Sequence, residues 1–337
     1  MAAKIAEIEY YLPEKEVTNE EIAKEFPQWT VEKIYAKTGI MSRHVSAQNE
    51  FASDLAVKAA NKLFEKGSVN REEIEFILYC TQSPDYYLPT TACLIQERLG
   101  LRTSCGALDF NLGCSGFVYG LSLAKGLLES ESCRNVLLIT SETYTKFINA
   151  KDRSVRTLFG DGAAATYIVN TEEGRNAIGP FIFGTDGRGG KNLIVPAGGV
   201  RLPRSQETNV EHEDDSGNIR SDDNLFMAGP EIFTFTLSSV PRAINSLLEK
   251  TGYSLDDIDL FVFHQANKFM IETLRVKCKI PANKFIIDME RVGNTVSATI
   301  PIALKGAIES GKLTKGMKIM VAGFGVGYSW AVAIIEW

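Results

Sequence analysis

The chain of 337 residues repeats one order of secondary-structure signals, and this repeat restricts the fold more than any other feature. Residues 66–82 resemble residues 250–266, because each segment contains a helix end, an acidic turn and an apolar strand. In both copies we predict that a helix, a strand, a glycine turn, a second helix and further strands follow in the same order. Val- and Ile-rich strands separated by helices are typical of buried sheets. The chain is therefore predicted to be α/β, with two similar halves at residues 1–174 and 175–337.

Two helices of the repeat are rich in small and apolar residues. We expect them at 116–128 and 296–310, each after a strand, at 106–110 and 284–288. Both sheets need their inner faces covered, so these helices are predicted to form a buried layer between the sheets. The expected architecture is a layered α-β-α-β-α fold with two pseudo-symmetric halves.

Composition excludes several function classes. The net charge of -6 argues against general nucleic-acid binding. The beginning of the chain has no apolar segment typical of a secretion signal, and no apolar run approaches the ~18 residues that span a bilayer. The six cysteines form no Cys-x-x-Cys pair, so we expect reduced thiols in a cytoplasmic protein. The three histidines do not cluster with cysteines or carboxylates, so no metal site is expected.

Residues 185–224 depart from the repeat, because this segment is rich in glycine and in charged side chains. A long surface loop of this kind is uncommon and is often functional. A solvated insertion without a catalytic role explains the same composition, and the sequence leaves both interpretations open.

Cys114 lies in a predicted strand-to-helix turn, Asn111-Leu112-Gly113-Cys114-Ser115-Gly116. Free backbone N–H groups and the positive end of the helix dipole favour a thiolate at such a position. Gly113 and Gly116 leave room for a substrate beside the sulfur. The sequence therefore predicts a nucleophile, although a small buried cysteine that packs under a helix fits the segment as well.

His264 and Asn294 occupy comparable positions in the second copy. His264 follows the apolar run 260–263, and Asn294 lies in the glycine turn before a helix. Reactive groups in α/β sheets collect at the carboxyl ends of strands, so Cys114, His264 and Asn294 are predicted to meet in one pocket. Taken singly, His264 fits a core histidine and Asn294 fits a helix cap.

Six motifs carry a resemblance that covers nearly the whole chain. They are Thr38-Gly39-Ile40 with Arg43, Gly113-Cys114-Ser115-Gly116, Phe159-Gly160-Asp161-Gly162-Ala163 after Asp152-Arg153, His264-Gln265-Ala266-Asn267, Gly293-Asn294-Thr295 and Phe324-Gly325-Val326-Gly327-Tyr328-Ser329-Trp330. In these motifs the chain resembles the β-ketoacyl-[acyl carrier protein] synthase III family of the thiolase superfamily. The resemblance implies a duplicated thiolase-like fold and a condensing acyltransferase that initiates fatty acid synthesis.

The resemblance also implies a mechanism. An acyl-CoA acylates Cys114, and the backbone N–H groups of Cys114 and Val326 form the oxyanion hole. Malonyl-[acyl carrier protein] then loses CO2, while His264 and Asn294 hold the enolate that attacks the acyl group. No metal or redox cofactor is required. The family usually has a smaller residue at the position of Val326, so we expect its side chain to narrow the pocket or alter the turn.

Further residues are assigned by resemblance alone. Trp29 and Arg153 match a pair that sandwiches the CoA adenine, Lys37 matches a residue near the CoA phosphates and Asn267 one near the pantetheine arm. Leu88 matches a residue that reaches across a homodimer to shape the acyl pocket. A basic patch is expected to bind the acidic carrier protein; its members are Lys268, Arg275, Lys277 and Lys279.

Other functions remain possible at this stage. The Gly323 to Gly327 turn lacks the second cysteine expected of a thiolase, and the local sequence differs from that of a papain-like protease. A specialised condensing enzyme or acyltransferase of secondary metabolism is the main alternative, kept open by Val326, Leu88 and the charged loop. A non-catalytic binding protein for acyl carriers would keep the fold, but it would not require Cys114, His264 and Asn294 together.

Overall fold

The computed structural model describes residues 2–171 and 177–337. Its strands are β1 (Ala2–Tyr11), β2 (Glu16–Thr18), β3 (Ser42–His44), β4 (Phe76–Cys80), β5 (Gly106–Phe110), β6 (Asn135–Glu142), β7 (Gly162–Thr171), β8 (Ile178–Thr185), β9 (Leu193–Ile194), β10 (His212–Glu213), β11 (Ile219–Arg220), β12 (Phe226–Met227), β13 (Leu260–Phe263), β14 (Lys318–Gly325) and β15 (Ser329–Glu336). Its helices are α1 (Asn19–Glu25), α2 (Val31–Thr38), α3 (Ala52–Glu65), α4 (Thr91–Arg98), α5 (Gly116–Glu129), α6 (Arg153–Arg156), α7 (Gly229–Thr251), α8 (Lys268–Lys277) and α9 (Thr299–Glu309). The predicted boundary between residues 174 and 175 lies outside the described residues.

Two larger sheets have related strand orders. The first has five strands in the order β1-β7-β6-β4-β5, and the second has four in the order β13-β14-β15-β8. The parallel pair β4–β6 corresponds to the parallel pair β13–β14. The antiparallel pairs β6–β7 and β1–β7 correspond to β14–β15 and β15–β8. The order of signals that repeats in the sequence thus becomes a duplicated sheet topology.

The helices form the layers that the composition predicts. Apolar side chains of α5 and α9 share one core with inward-facing residues of β6 and β14, so these helices lie between the two sheets. The outer face of the first sheet packs against α3 and α4. That of the second sheet packs against α7 and α8. The fold is therefore layered α-β-α-β-α, as predicted.

The strand predicted at 284–288 is absent, which is a correction to the sequence analysis. Residues Ala282–Lys284 form a 3-10 turn, and a single bridge joins Phe285 to Phe261 of β13. The Gln265 side chain explains the difference, because it uses backbone groups that a strand offers to its neighbour. Its Oε1 accepts from the N–H of Asp288 at 2.8 Å, and its Nε2 donates to the carbonyl of Ile286 at 3.4 Å.

The charged segment 185–224 is only partly a loop, because β9, β10 and β11 lie within it. Arg220 connects the segment to the rest of the chain, because it pairs with Asp152 at 3.0 Å. It also pairs with Asp214 inside the segment at 2.8 Å. Among the described residues, no helix combines the length and the apolar character that crossing a bilayer requires.

Candidate active site

Cys114 lies between β5 and α5, in the turn that the sequence predicts. The N–H of Gly116 donates to the carbonyl of Gly113 at 2.8 Å, and α5 begins directly afterwards. Only 4% of Cys114 is exposed. The strand and the central helix therefore place the sulfur at the junction of the two halves.

Burial dominates the electrostatics of this thiol. Desolvation raises the pKa of Cys114 to about 12, while the N–H groups of Val326 and of Cys114 itself act in the opposite direction. A nearby buried carboxyl, Glu142, raises the pKa further. The expectation that the turn alone favours a thiolate is therefore wrong for the free protein, because loss of hydration outweighs the N–H groups. The thiol has to lose its proton during attack.

A glycine turn between β14 and β15 approaches the sulfur from the second half. A Cβ added to Gly325 would lie 2.7 Å from Sγ of Cys114 and 2.9 Å from its Cβ. Only a residue without a side chain permits this approach. The next residue, Val326, supplies the N–H group that faces the thiol.

Val326 does not line the cavity that contains Cys114. A Cβ added to Gly113 would lie 3.2 Å from Cγ2 of Val326, so the valine packs against the backbone beside the nucleophile. Val326 lines a second cavity of about 980 Å³, together with Gln82 and Tyr144. Val326 therefore borders the second cavity and not the first, and Leu193 lines both cavities. Whether the valine narrows the acyl pocket stays a prediction.

His264 follows β13 and is 2% exposed. Burial lowers the pKa of its imidazole to about 3, so the ring is neutral at physiological pH. Its Nδ1 lies 2.7 Å from Oγ1 of Thr299, and its ring meets Phe324 edge-on at 5.7 Å between centroids. A hydroxyl can donate to Nδ1 or accept from it, so Nε2 can serve as a donor or as an acceptor.

Asn294 is held by its backbone. Its N–H donates to the carbonyl of Leu158 at 2.9 Å, and its own carbonyl accepts from the N–H of Gly160 at 3.0 Å. Its Oδ1 accepts from the N–H of Val296 at 2.9 Å, while Nδ2 donates to the carbonyl of Ala266 at 3.3 Å. The carboxamide therefore stabilises a turn and still has one N–H left for a ligand.

These three side chains line one cavity of about 550 Å³. Cys114 comes from the first half of the chain, and His264 and Asn294 come from the second. Trp29, Lys37 and Asn267 line the same cavity. Arg153, Leu88 and the four residues of the basic patch, Lys268, Arg275, Lys277 and Lys279, do not. The arrangement combines a thiol, a neutral imidazole and a carboxamide donor, which suits attack on a thioester and stabilisation of an enolate oxygen.

Trp29 is surrounded by cations. Nζ of Lys37 lies 4.7 Å from the ring centroid, and the guanidinium carbon of Arg153 lies 5.8 Å from it. An adenine stacked between them requires a distance of about 7 Å between the tryptophan ring and the guanidinium, since each stacked contact takes ~3.5 Å. Arg153 also donates to the carbonyl of Ser216 in the charged segment. The pair therefore has to separate before it can sandwich a base.

Asn267 caps α8, and its side chain accepts from the N–H of Met270 at 2.8 Å. Lys268 and Lys277 of this helix are exposed, and so is Lys279, which follows the helix. Arg275 differs from them, because it pairs with Glu272 at 2.8 Å and donates to the carbonyl of Ile280 at 2.9 Å. The basic surface of this region is therefore supplied by the lysines.

Leu88 lies on the loop after β4 and is 83% exposed. Its neighbours Tyr86 and Tyr87 line the second cavity, but Leu88 does not.

Thr299 is a site residue that sequence reasoning missed. The available signal was a hydroxyl residue at the start of an otherwise small and apolar helix.

Comparisons with known proteins show the family of this chain. Residues 108–187 match the family model described as 3-oxoacyl-[acyl-carrier-protein (ACP)] synthase III, and residues 248–337 match the model of its C-terminal part. The β-ketoacyl-[acyl-carrier-protein] synthase III of Caldanaerobacter subterraneus subsp. tengcongensis is 39% identical over 100% of this chain and 98% of its own.

Solved structures agree as well. A 3-oxoacyl-(acyl-carrier-protein) synthase III crystal structure is 53% identical, covers 100% of both chains and superposes with a TM-score of 0.99. The 3-oxoacyl-(acyl-carrier protein) synthase of Burkholderia xenovorans LB400 is 35% identical, with 99% of this chain and 94% of that chain covered and a TM-score of 0.90. The chain thus has the thiolase-like fold and belongs to the β-ketoacyl-[acyl carrier protein] synthase III family of condensing acyltransferases.

Proposed function

We propose that this chain joins an acyl group from acyl-CoA to malonyl-[acyl carrier protein], with loss of CO2, to give the 3-oxoacyl-[acyl carrier protein] that initiates fatty acid synthesis. One observation carries the proposal: Cys114, His264 and Asn294 from the two halves line a single cavity of about 550 Å³. The cavity is open to a thioester arm past Trp29 and Asn267, which line it too.

In the first step the sulfur of Cys114 attacks the acyl-CoA carbonyl. The N–H groups of Cys114 and Val326 stabilise the oxyanion, and one such donor is commonly worth ~3 kcal/mol. The carbon–sulfur bond to CoA breaks, and CoA leaves as the thiol with the proton that Cys114 gave up.

In the second step a malonyl thioester replaces CoA. Its carbon–carbon bond to the carboxylate breaks and CO2 leaves, so the electron pair forms an enolate. Nε2–H of His264 and Nδ2–H of Asn294 donate to the enolate oxygen. The enolate carbon then attacks the acyl carbonyl, and the bond to Cys114 breaks. The sulfur leaves as a thiolate and takes up one proton from water, which regenerates the thiol. These steps need no metal or redox cofactor, and we propose that none is used.

The residues that bind CoA and the carrier protein are proposed from the cavity lining and from the surface charge. Lys37 and Trp29 line the cavity mouth and suit a CoA nucleotide, with Arg153 joining them after it separates from Trp29. Lys268, Lys277 and Lys279 form a basic surface that suits an acidic carrier protein. The second cavity, beside Val326, has the size to receive the acyl chain.

A homodimer in the cytoplasm is proposed as the working form. Strand β5 is an edge of the first sheet, and its Leu108 is 46% exposed. Tyr86, Tyr87 and Leu88 are also exposed, at 63%, 76% and 83%. An edge strand with exposed apolar neighbours suits pairing with a second copy, which would bring Leu88 toward the partner's acyl pocket.

The specialised alternative is less well supported. Relatives that match this chain over nearly its whole length carry the name of synthase III. The features that kept the alternative open are Val326, Leu88 and the charged segment. They coexist with Cys114, His264 and Asn294 in one cavity, the set that the condensation requires.

The test is intact-protein mass spectrometry after incubation with a panel of acyl-CoAs. The wild-type protein should gain the mass of one acyl group, and the preferred primer is the one that reacts fastest. Cys114→Ala should gain none. His264→Ala should still be acylated but lose malonyl decarboxylation. An acyl mass on Cys114→Ala, or no acylation of the wild-type protein by any acyl-CoA, would contradict the proposal.

A further inference from the structure

Glu142 is a fully buried carboxyl that the proposed reaction does not use. It is the last residue of β6 and is 0% exposed. Its oxygens accept hydrogen bonds from three neutral donors. These are the N–H of Gln82 at 3.0 Å, the hydroxyl of Ser83 at 3.1 Å and the hydroxyl of Ser297 at 2.9 Å.

The three donors come from different parts of the fold. Gln82 and Ser83 follow β4, and with Glu142 they belong to the half that carries Cys114. Ser297 belongs to the 3-10 turn Val296–Ala298 in the other half. The carboxyl therefore joins the two halves, close enough to Cys114 to act on its thiol. A buried carboxyl bonded on both sides is costly to displace, because each broken bond leaves a polar group without hydration.

The turn that contains Ser297 also orients the imidazole. Thr299 comes two residues later, and its Oγ1 lies 2.7 Å from Nδ1 of His264. The same hydroxyl lies 3.1 Å from the carbonyl of Val296, the residue before Ser297. The backbone of Val296 also acts on the imidazole. The segment around Ser297 thus supplies two of the groups beside the His264 ring. Asn294 is less dependent on this contact, because its backbone bonds to Leu158 and Gly160 hold it separately.

We propose that Glu142 is a positioning residue, which holds the turn Val296–Ala298 through Ser297 and so fixes the orientation of His264 for the decarboxylation step. This inference rests on the proposed function, since it assigns His264 to the enolate. The carboxyl acts through the turn and does not touch the substrate.

The experiment compares two serine variants that each remove one hydroxyl bonded to Glu142. Ser297→Ala breaks the link to the turn, whereas Ser83→Ala removes a donor from the side of the first half and is the matched control. Decarboxylation of malonyl-[acyl carrier protein] is measured in a Cys114→Ala background, so that acylation does not contribute. We expect Ser297→Ala to lower this rate by about 10- to 100-fold, the range for a small displacement of a catalytic group. Ser83→Ala should stay within about threefold of the parent.

A spectroscopic measurement separates orientation from general damage. The chain has three histidines, so the ring ¹⁵N resonances of His264 can be assigned by comparison with His264→Ala. Ser297→Ala should shift them and Ser83→Ala should not. If Ser297→Ala does not fold, Ser297→Cys replaces the hydroxyl by a weaker donor and carries the same comparison.

Each outcome has one meaning. Equal decarboxylation rates for the two serine variants, or unchanged His264 resonances in the Ser297 variant, would overturn the role of Glu142 while leaving the reaction in place. Failure of the wild-type protein to become acylated, or of the Cys114→Ala parent to decarboxylate the malonyl thioester, would instead contradict the proposed function.

Discussion

The Cys114 thiol keeps its proton in the free protein, and this property can be measured directly. Burial raises its pKa to about 12. Below that value the thiolate fraction grows about tenfold for each unit by which the pH rises. We expect the rate of alkylation by iodoacetamide to rise steadily from pH 7 to pH 10. Mass spectrometry of the peptide containing Cys114 reports the rate. The urea-unfolded chain is the control, where the rate should level off near the ordinary thiol pKa of about 8.5.

A plateau below pH 9 in the folded protein would show that the helix end and the N–H of Val326 outweigh burial after all. The interpretation of Cys114 as a thiol that loses its proton only during attack would then be wrong.

The imidazole of His264 gives a second pH-dependent prediction. Its pKa is lowered to about 3, so lowering the pH from 8 to 5 leaves the ring neutral and able to donate from Nε2. Malonyl decarboxylation by Cys114→Ala should therefore show no inflection near pH 6.5, the ordinary histidine value. A rate that changes tenfold per unit around pH 6.5 would contradict this. Circular dichroism at each pH confirms that the chain remains folded.

At the scale of elements, the turn between β14 and β15 is the part of the second half that touches the nucleophile. Gly325→Ala would place a methyl group 2.7 Å from Sγ of Cys114, so the turn or the cysteine has to move. We expect acylation to slow by about 100-fold, because small displacements at a reacting centre have large effects. CoA release measures this rate.

Gly327→Ala is the matched control in the same turn. Gly327 has φ +70 and no heavy atom within 4 Å of an added Cβ. The variant should lose ~1 kcal/mol of unfolding free energy from backbone strain and keep most of its acylation rate. Equal loss of acylation in both glycine variants would mean that the acylation rate depends on the conformation of the whole turn and not on the close approach of Gly325 to the sulfur.

Elements with a strong local signal were predictable from sequence. Strand β5 begins and ends at the predicted residues, and α5 differs by one residue at its end. The expected strand at 284–288 failed for a reason that local patterns do not contain. Gln265, distant in sequence, bonds to the backbone there and replaces the neighbouring strand.

At the scale of the whole molecule, the sequence identified which side chains meet but not what holds them. Cys114, His264 and Asn294 were predictable because a duplicated α/β fold brings the ends of equivalent strands together. Their supports, Thr299 and Glu142, act through single hydrogen bonds between segments far apart in the chain. Such bonds leave no periodicity or motif in the sequence.

The proposed homodimer yields a prediction at the same scale. Leu108→Lys places a charge on the exposed edge strand β5, where pairing with a second copy would bury it. Sedimentation velocity should show a shift from twice the chain mass toward 37.1 kDa. Val276→Lys, at a 63% exposed position on α8, should leave the mass unchanged. A wild-type protein that already sediments as a single chain would exclude the homodimer.

The missing fifth strand of the second sheet bears on how many copies can associate. The segment that corresponds to β5 is bonded to Gln265 and offers no regular strand edge, so the duplicated halves are unequal in what they present to another chain. Two molecules joined by their β5 strands use the same edge of each, related by a two-fold axis. Neither then has a second β5-like edge for a third molecule, so this mode of self-assembly stops at a closed pair and does not grow into a fibre.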